Sequence, residues 1–239
     1  MASSAIFRAS EMSRELWNSL AAKAGLMLDA RQHDLLHKFL NLLFAANERM
    51  NLTRITDRPD AEVLHIADSL ALLPHLPSGR HKLADVGSGG GLPGIVLAIA
   101  RPDARIVLIE ATRKKADFLI AAAAELGLSN VDVAPLRAEE AGRSEWRESF
   151  NVATARAVAT LPILIPWLMP LLKPGGYALA MKGPKAAEEL RQSRVRQAAE
   201  IIPATLPSGL EHVIVRIPKP SIPQFRSSRP PRRRHNKSI

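Results

Sequence analysis

Lys82-Leu83-Ala84-Asp85-Val86-Gly87-Ser88-Gly89-Gly90-Gly91-Leu92-Pro93-Gly94 decides how the rest of this chain is read. An apolar run ends in an acid and breaks into a turn carrying five glycines. A second apolar run of helix-forming residues, Ile95 to Ala100, follows at once. Strand, tight loop and helix in that order make the nucleoside- or phosphate-gripping corner of a doubly wound α/β sheet. Glycine serves where the backbone turns with φ > 0 and where a ligand lies against the main chain. Gly87, Gly89 and Gly91 are therefore candidate cofactor contacts. The glycine spacing alone is shared with dinucleotide enzymes. Asp85 narrows the choice, because a carboxylate at the strand end suits a positive centre and repels a pyrophosphate. S-adenosylmethionine, with an ammonium and a sulfonium in its methionine part, is the better fit, and Asp85 is expected to face that cationic part.

The next strand, Arg105-Ile106-Val107-Leu108-Ile109, ends in Glu110, 23 residues beyond Gly87. In nucleoside-binding α/β folds an acid about 20 residues past the glycine loop accepts hydrogen bonds from ribose hydroxyls. NAD sites use the same device, so Glu110 points to adenosine without choosing the cofactor.

Composition sets the outer limits. A chain of 239 residues, 46% hydrophobic, supports one α/β domain with an appendage and a substantial core. It has no cysteine, which excludes disulfides, thiolate metal sites and a catalytic thiol and fits a reducing cytoplasm. No apolar run reaches the length of a membrane span, and Glu11 and Glu15 stand where a signal peptide is apolar, so a soluble protein without a membrane partner is expected. The net charge of +10 is uneven: residues 218–239 hold seven Lys/Arg, five prolines and no acid. Such a segment cannot bury enough surface to fold alone, and it reads as a disordered basic arm whose natural partner is a polyanion.

Residues 1–78 carry helical patterns and form an expected N-terminal helical extension. Ser10 to Ala24 is amphipathic, with Ser10 as a possible cap and Gly25 as its end. Asp29 to Asn47 places Leu35, Leu36, Phe39, Leu40, Leu43 and Phe44 at helical spacing, and Asp60 to Leu73 reads likewise up to Pro74. Residues 79–217 then alternate strand and helix, the pattern of a mostly parallel sheet. A helix is expected over Thr112–Leu126, strands over Val131–Leu136 and Phe150–Arg156 with a polar loop between them, and a helix over Thr160–Leu172. Leu171-Leu172-Lys173-Pro174-Gly175-Gly176, running straight into Tyr177-Ala178-Leu179-Ala180, is expected to stop that helix and start the fifth strand. The phrase is common in Rossmann-like, class I S-adenosylmethionine-dependent methyltransferases. Ile201–Thr205 and His212–Ile217 would close the sheet as a hairpin.

Several phrases in order carry a more specific resemblance. They are Asn51-Leu52-Thr53, His65-Ile66-Ala67-Asp68-Ser69, the glycine loop with its Leu-Pro-Gly ending, and Lys114-Lys115-Ala116-Asp117-Phe118-Leu119. Arg137-Ala138-Glu139-Glu140, Ala155-Arg156-Ala157 and Met181-Lys182-Gly183 follow. From about Asn51 to Ile217 the chain resembles the glucose-inhibited division protein B family of bacterial ribosomal RNA methyltransferases. The resemblance implies a seven-stranded class I fold and transfer of a methyl group from S-adenosylmethionine to N7 of guanine 527 in the 530 loop of 16S rRNA. It also implies that Gly87, Leu92, Ala138, Glu139 and Arg156 line the cofactor site, and that 16S rRNA or a small-subunit assembly intermediate is the partner. The basic tail departs from the family.

The residues at hand suit that chemistry. Guanine N7 has a lone pair and no proton, so no general base is needed, and positioning can supply ~7–11 kcal/mol of barrier reduction. C5 methylation of pyrimidines generally requires a cysteine, and the chain has none. Amino-group methylation usually uses an (Asp/Asn/Ser)-Pro-Pro-(aromatic) phrase, whereas Ala155-Arg156-Ala157 follows the fourth strand. Arg156 is expected at the cofactor–guanine junction, with Arg137 and Lys182 on RNA phosphates or the base. Asn51 would bond RNA or brace the helix that carries His65 and Asp68, a pair that would orient the entrance or form a plain surface ion pair. His33 and His37 imitate a zinc helix, but no third ligand is evident, so they read as solvated and no metal is expected. Two other classes stay open at this point: a non-enzymatic RNA-binding protein that kept the fold, and an NAD-dependent oxidoreductase.

Overall fold

The alternating signals resolve into one seven-stranded sheet in the order β3-β2-β1-β4-β5-β7-β6. In this computed structural model the described residues are 2–193, 195, 198–205 and 211–221. The strands are β1 (Lys82–Val86), β2 (Arg105–Ile109), β3 (Val131–Ala134), β4 (Phe150–Arg156), β5 (Leu172–Lys182), β6 (Glu200–Thr205) and β7 (Glu211–Pro218). β1 to β5 pair in parallel, β7 runs antiparallel beside β5, and β6 runs antiparallel beside β7. This is the mostly parallel, seven-stranded sheet that the resemblance implies. The order reverses between β1 and β4, and open α/β sheets bind ligands outside the strand ends at that switch point.

Pleating assigns the faces, because successive side chains of a strand point to opposite sides. Leu83 of β1 joins Leu108 and Val152 on one face, while Ala84 and Val86 join Val107 and Ala153 on the other. Asp85 shares the parity of Leu83, a fact that governs the site below.

The Leu83 face is covered by the N-terminal helices. α1 (Ala2–Ala22) starts well before Ser10, so Ser10 lies inside the helix and does not cap it; the chain turns at Gly25 with φ +69°. α2 (Ala30–Met50) opens on a capping box, with Asp29 and Gln32 bonding each other's backbone amides at 2.7 and 2.9 Å. Leu36, Phe39, Leu40 and Leu43 are buried along its inner stripe. Its end is set by Asn51, whose φ of 50° is the left-handed conformation that closes helices. The segment read as one helix over Asp60–Leu73 has three parts: α3 (Arg58–Ala61), a π-helical turn (Glu62–Ala67) and α4 (Asp68–Leu70). Pro74 does not end that helix; it sits in a separate 3-10 turn, Leu73–His75.

α5 (Gly94–Ala100) follows the glycine loop and is buried throughout. Gln32 of α2 donates to the Ile99 carbonyl at 2.8 Å, satisfying a C-terminal group of α5 that would otherwise be orphaned. α6 (Arg113–Glu125) packs against α2 and β3, and the Leu119 side chain is fully buried. On the opposite face lie α7 (Ala138–Ala141), in the stretch read as a polar loop, then α8 (Leu161–Leu168) and α9 (Ala186–Arg191). α8 ends four residues short of the expected Leu172. Lys173-Pro174-Gly175-Gly176 does not break between helix and strand but belongs to β5, at a register shift against Phe150 and Val152 of β4. Gly176 has no room for a side chain, since a Cβ there would lie 2.8 Å from the Asn151 carbonyl oxygen.

The start of the expected basic arm also moves. Pro218 pairs with Tyr177, and Lys219 exchanges backbone hydrogen bonds with Gly175 and Gly176 at 3.1 and 2.7 Å. Its ammonium meets Glu148 at 2.9 Å, so 218–219 finish the sheet and leave the arm to begin later. The reading of 222–239 as a basic arm lies outside the described residues.

Candidate active site

Two cavities meet at the carboxyl ends of β1 and β4. The first, about 450 Å³, lies over the glycine loop, with Gly87, Gly89, Leu92, Glu110, Ala138 and Glu139 among the residues around it. Its size falls within the ~300–1,000 Å³ usual for small-molecule sites. The second, about 640 Å³, lies between the π-helical turn, the end of β5 and the β6–β7 hairpin. Arg156 and Ala157 border both.

The glycine loop is held from below. Gly87 and Ser88 donate their amides to the Ile109 carbonyl at 2.8 and 3.3 Å, and Gly91 donates to Ser88 at 2.7 Å. Glu110 is buried at the end of β2, and its two carboxylate oxygens accept from the Gly89 amide (2.9 Å) and the Thr112 amide (2.7 Å). Each oxygen keeps a second lone pair, so Glu110 can still accept from ribose hydroxyls. Gly87 takes φ +70°, and a Cβ there would lie 2.7 Å from Val158.

Asp85 is the main correction. Strand parity turns it under α5, where it is fully buried. Oδ2 accepts the Gly94 amide at 3.1 Å and Oδ1 accepts the Thr154 hydroxyl at 3.2 Å. Burial pushes its carboxyl up to about 6, against those two hydrogen bonds. The side chain therefore braces the loop and caps α5 instead of facing a ligand. The same contact disfavours a dinucleotide, because a pyrophosphate would need the helix-terminal amide that Asp85 already holds. Gly91 is likewise a packing residue: it is buried, and a Cβ there would meet Ile95, Leu119 and Phe39 at 2.7–3.3 Å.

Arg156, the last residue of β4, is locked by the N-terminal helices. Its NH1 donates to the Leu64 carbonyl (2.7 Å) and to Asp68 (3.1 Å), and its NH2 lies 2.9 Å from His65 Nδ1. His65 and Asp68 thus form neither a plain surface pair nor an entrance by themselves; both are buried and both hold Arg156. The other oxygen of Asp68 meets His212 Nδ1 at 3.0 Å, across 144 residues of sequence. Three of the five guanidinium hydrogens are engaged, which leaves two for a ligand. Ala157 follows with φ 55°, a conformation that costs a non-glycine residue of order 1–3 kcal/mol and concentrates at functional sites.

The remaining expected contacts divide. Arg137 is exposed at the rim of the first cavity, where its cation remains available to a phosphate. Lys182 is partly committed: its ammonium is held by the Ala159 carbonyl (2.9 Å) and Glu189 (2.7 Å), which leaves one of its three N–H donors at the edge of the second cavity. Asn51 is exposed and closes α2; the bracing expected of it belongs to Thr53, whose hydroxyl oxygen lies 2.8 Å from His65 Nε2. His33 is buried and not solvated, stacked on Trp17 at 5.8 Å with Nε2 3.0 Å from Asn18. Sequence reading missed His212 and Glu189 altogether. No local pattern marks them, since each acquires its partner only through sheet assembly.

Among the described residues no group of acids and histidines is arranged to hold a metal ion, and no helix is long and apolar enough to cross a membrane. A model of the rRNA small subunit methyltransferase G family matches residues 32–212. The rRNA small subunit methyltransferase G of Sorangium cellulosum is 50% identical over 174 residues, 72% of this chain and 73% of that one. The proteins of the same name from Deinococcus radiodurans and Rubrobacter xylanophilus are 45% and 42% identical, over 74% and 89% of this chain and 70% and 80% of theirs. The phrases that carried the resemblance, the loop over which a cofactor-sized cavity opens, and a match over most of the length agree: the chain belongs to the rRNA small subunit methyltransferase G family.

Proposed function

We propose that the protein transfers a methyl group from S-adenosylmethionine to N7 of a guanine in small-subunit ribosomal RNA, acting on 16S rRNA or on an assembly intermediate of the small subunit. The observation that carries this reading is the pair of cavities joined at Arg156 and Ala157. One is sized for an adenosine-containing cofactor beside a ribose-accepting acid. The other has apolar walls from Ile55, Met181 and Ile214, with room for a nucleobase taken out of its stack.

The residues around the first cavity fit the cofactor. Glu110 retains lone pairs for ribose hydroxyls, and the backbone of Gly87 and Gly89 leaves the approach open. Ala138 and Glu139, at the first turn of α7, border the same cavity and would line the cofactor. The cofactor supplies an electrophilic methyl carried on a sulfonium. The protein supplies no base, since the N7 lone pair needs no deprotonation. Arg156, fixed on three sides, holds its remaining N–H donors where the cavities meet and can hydrogen-bond an acceptor edge such as guanine O6. Catalysis then rests on alignment, and the preset network lowers the entropic part of the barrier.

Methylation of 16S rRNA and of small-subunit particles by purified protein with isotopically labelled cofactor, mapped by mass spectrometry, tests this. N7-methylguanine at one position is expected. Methyl on another atom would overturn the N7 assignment. Tight RNA binding without transfer, or binding of NAD in place of S-adenosylmethionine, would overturn the enzyme reading.

A further inference from the structure

Donors are scarce around the first cavity. The amides of Gly87, Ser88, Gly89 and Gly91 are all engaged in holding the loop, and the Ser88 hydroxyl donates to the Asp85 carbonyl at 2.8 Å. The opposite side carries two carboxylates, Glu110 and Glu139, which disfavour a ligand's anionic group. Two cations also line this cavity, Lys115 and Arg137, but they stand on α6 and at the start of α7, the elements next to those acids; away from that side an anionic group meets the cluster of Thr53, His65 and Arg156.

Hydrogen-bond valence fixes how that cluster works. Arg156 can only donate, so His65 Nδ1, 2.9 Å from its NH2, must present a lone pair. Burial and then Arg156 push His65 down to about 4, so the ring is neutral and its single proton sits on Nε2. Nε2–H therefore donates to Thr53 Oγ1 at 2.8 Å. The Ile55 amide donates to the same oxygen at 3.0 Å. A hydroxyl oxygen has two lone pairs, and both are now engaged. The hydroxyl proton is forced outward, and Thr53 lines the cavity.

From this geometry we infer that Thr53 is a positioning residue whose hydroxyl, aimed by His65 and the Ile55 amide, donates a hydrogen bond to the α-carboxylate of the bound cofactor. The inference rests on the cofactor reading above. Only the amino-acid part of the cofactor carries an anion, and the two acids put the adenosine at the other side. The Leu52–Thr53 segment lies against the glycine loop, since a Cβ on Gly90 would come within 3.5 Å of Leu52 Cβ.

Calorimetric titration of wild type, Thr53→Val and Thr53→Ser with two probes tests it. S-adenosylhomocysteine has the carboxylate, and 5′-methylthioadenosine lacks the amino-acid part. Thr53→Val is expected to weaken S-adenosylhomocysteine roughly 10- to 150-fold, the range for a hydrogen bond to a charged group. The second probe should be unaffected, and Thr53→Ser should restore the first. The 15N shifts of His65 should report a protonated Nε2 and an unprotonated Nδ1. Equal weakening of both probes would assign Thr53 a merely structural role and overturn the inference, as would weakening of neither or a protonated Nδ1. Unchanged cofactor binding with impaired methyl transfer would place the hydroxyl on the acceptor base and also overturn it. Failure of the wild type to bind either probe is a different result, which sinks the cofactor reading itself.

Discussion

Replacing Asp85 with asparagine should stabilise the protein, and increasingly so as pH rises. The carboxyl is fully buried, and that burial raises it from 3.8 to about 6. Such a rise is worth roughly 3 kcal/mol. The folded state then holds its proton more tightly than the unfolded chain does. Below about pH 4 both states are protonated and Asp85 costs nothing. Between pH 4 and 6 the unfolded chain ionises first, so stability falls with rising pH, and above pH 6 the whole cost is present. Asparagine removes the charge and keeps the contacts. Its carbonyl can accept the Gly94 amide, and its NH2 can donate to Thr154, whose own proton has the Ala84 carbonyl at 3.4 Å as an alternative acceptor. Urea unfolding of both proteins at steps from pH 4 to pH 8 isolates the effect, because other titrating groups cancel in the difference. The variant should gain about 3 kcal/mol relative to wild type across that range. A difference that stays flat with pH, or that moves against the variant, would refute the account of a strained, buried acid. Cofactor affinity supplies a second arm. A charge-assisted contact with the ammonium would be worth ~1.5–3 kcal/mol, so a loss of about tenfold or more in Asp85→Asn would put the carboxylate in contact with the ligand after all.

Asp68→Ala leaves Arg156, whose side chain is 17% exposed, without its carboxylate, and should cost about 3–5 kcal/mol in denaturant unfolding; a cost under about 1 kcal/mol would mean the pair is solvated. Gly91→Ala places a methyl 2.7 Å from Ile95 at φ +90°, so a loss of about 1–3 kcal/mol and a lower Tm are expected, whereas an unchanged Tm would show that the loop can yield. Deleting 222–239 removes six Lys/Arg and should flatten the plot of log binding constant against log salt by up to ~4 while the same base is modified. An unaltered slope would exclude the segment from RNA contact, and a changed base would give it a role in selection.

The sheet was legible because its signals are local. Each parallel strand is a short apolar run beside a breaker, and β4 was read to the residue at both ends. The places of the glycine loop and of Glu110 at the end of β2 were legible for the same reason, since both lie within one βαβ unit. Asp85 was misread because its position in the sequence was given full weight and its parity none. Counting back two residues to Leu83 puts both on the α5 side, and Gly94 nine residues later supplies the amide. Lys182 and His212 were beyond local reading: one is neutralised by α9 and the other reaches Asp68 from the last strand. A cation on a strand end has the same local signature whether it meets solvent or an acid from elsewhere.

The division between an N-terminal extension and a catalytic domain is also less sharp physically than the sequence suggests. A Rossmann-like corner usually offers its ligand the amides of the loop and helix terminus. Here most of those amides hold the loop in shape, and Asp85 takes the one at the start of α5. By the inference above, one donor for an anionic group comes from outside the sheet, the Thr53 hydroxyl that His65 aims. The same helices cover the sheet face that Asp85 shares, burying Phe39 and Leu40 beneath α2. Removing residues 1–78 would expose that apolar face and release Arg156 from three of its partners at once. The helices complete the core and the site together, so separate folding of 79–221 with cofactor affinity intact is the result this arrangement forbids.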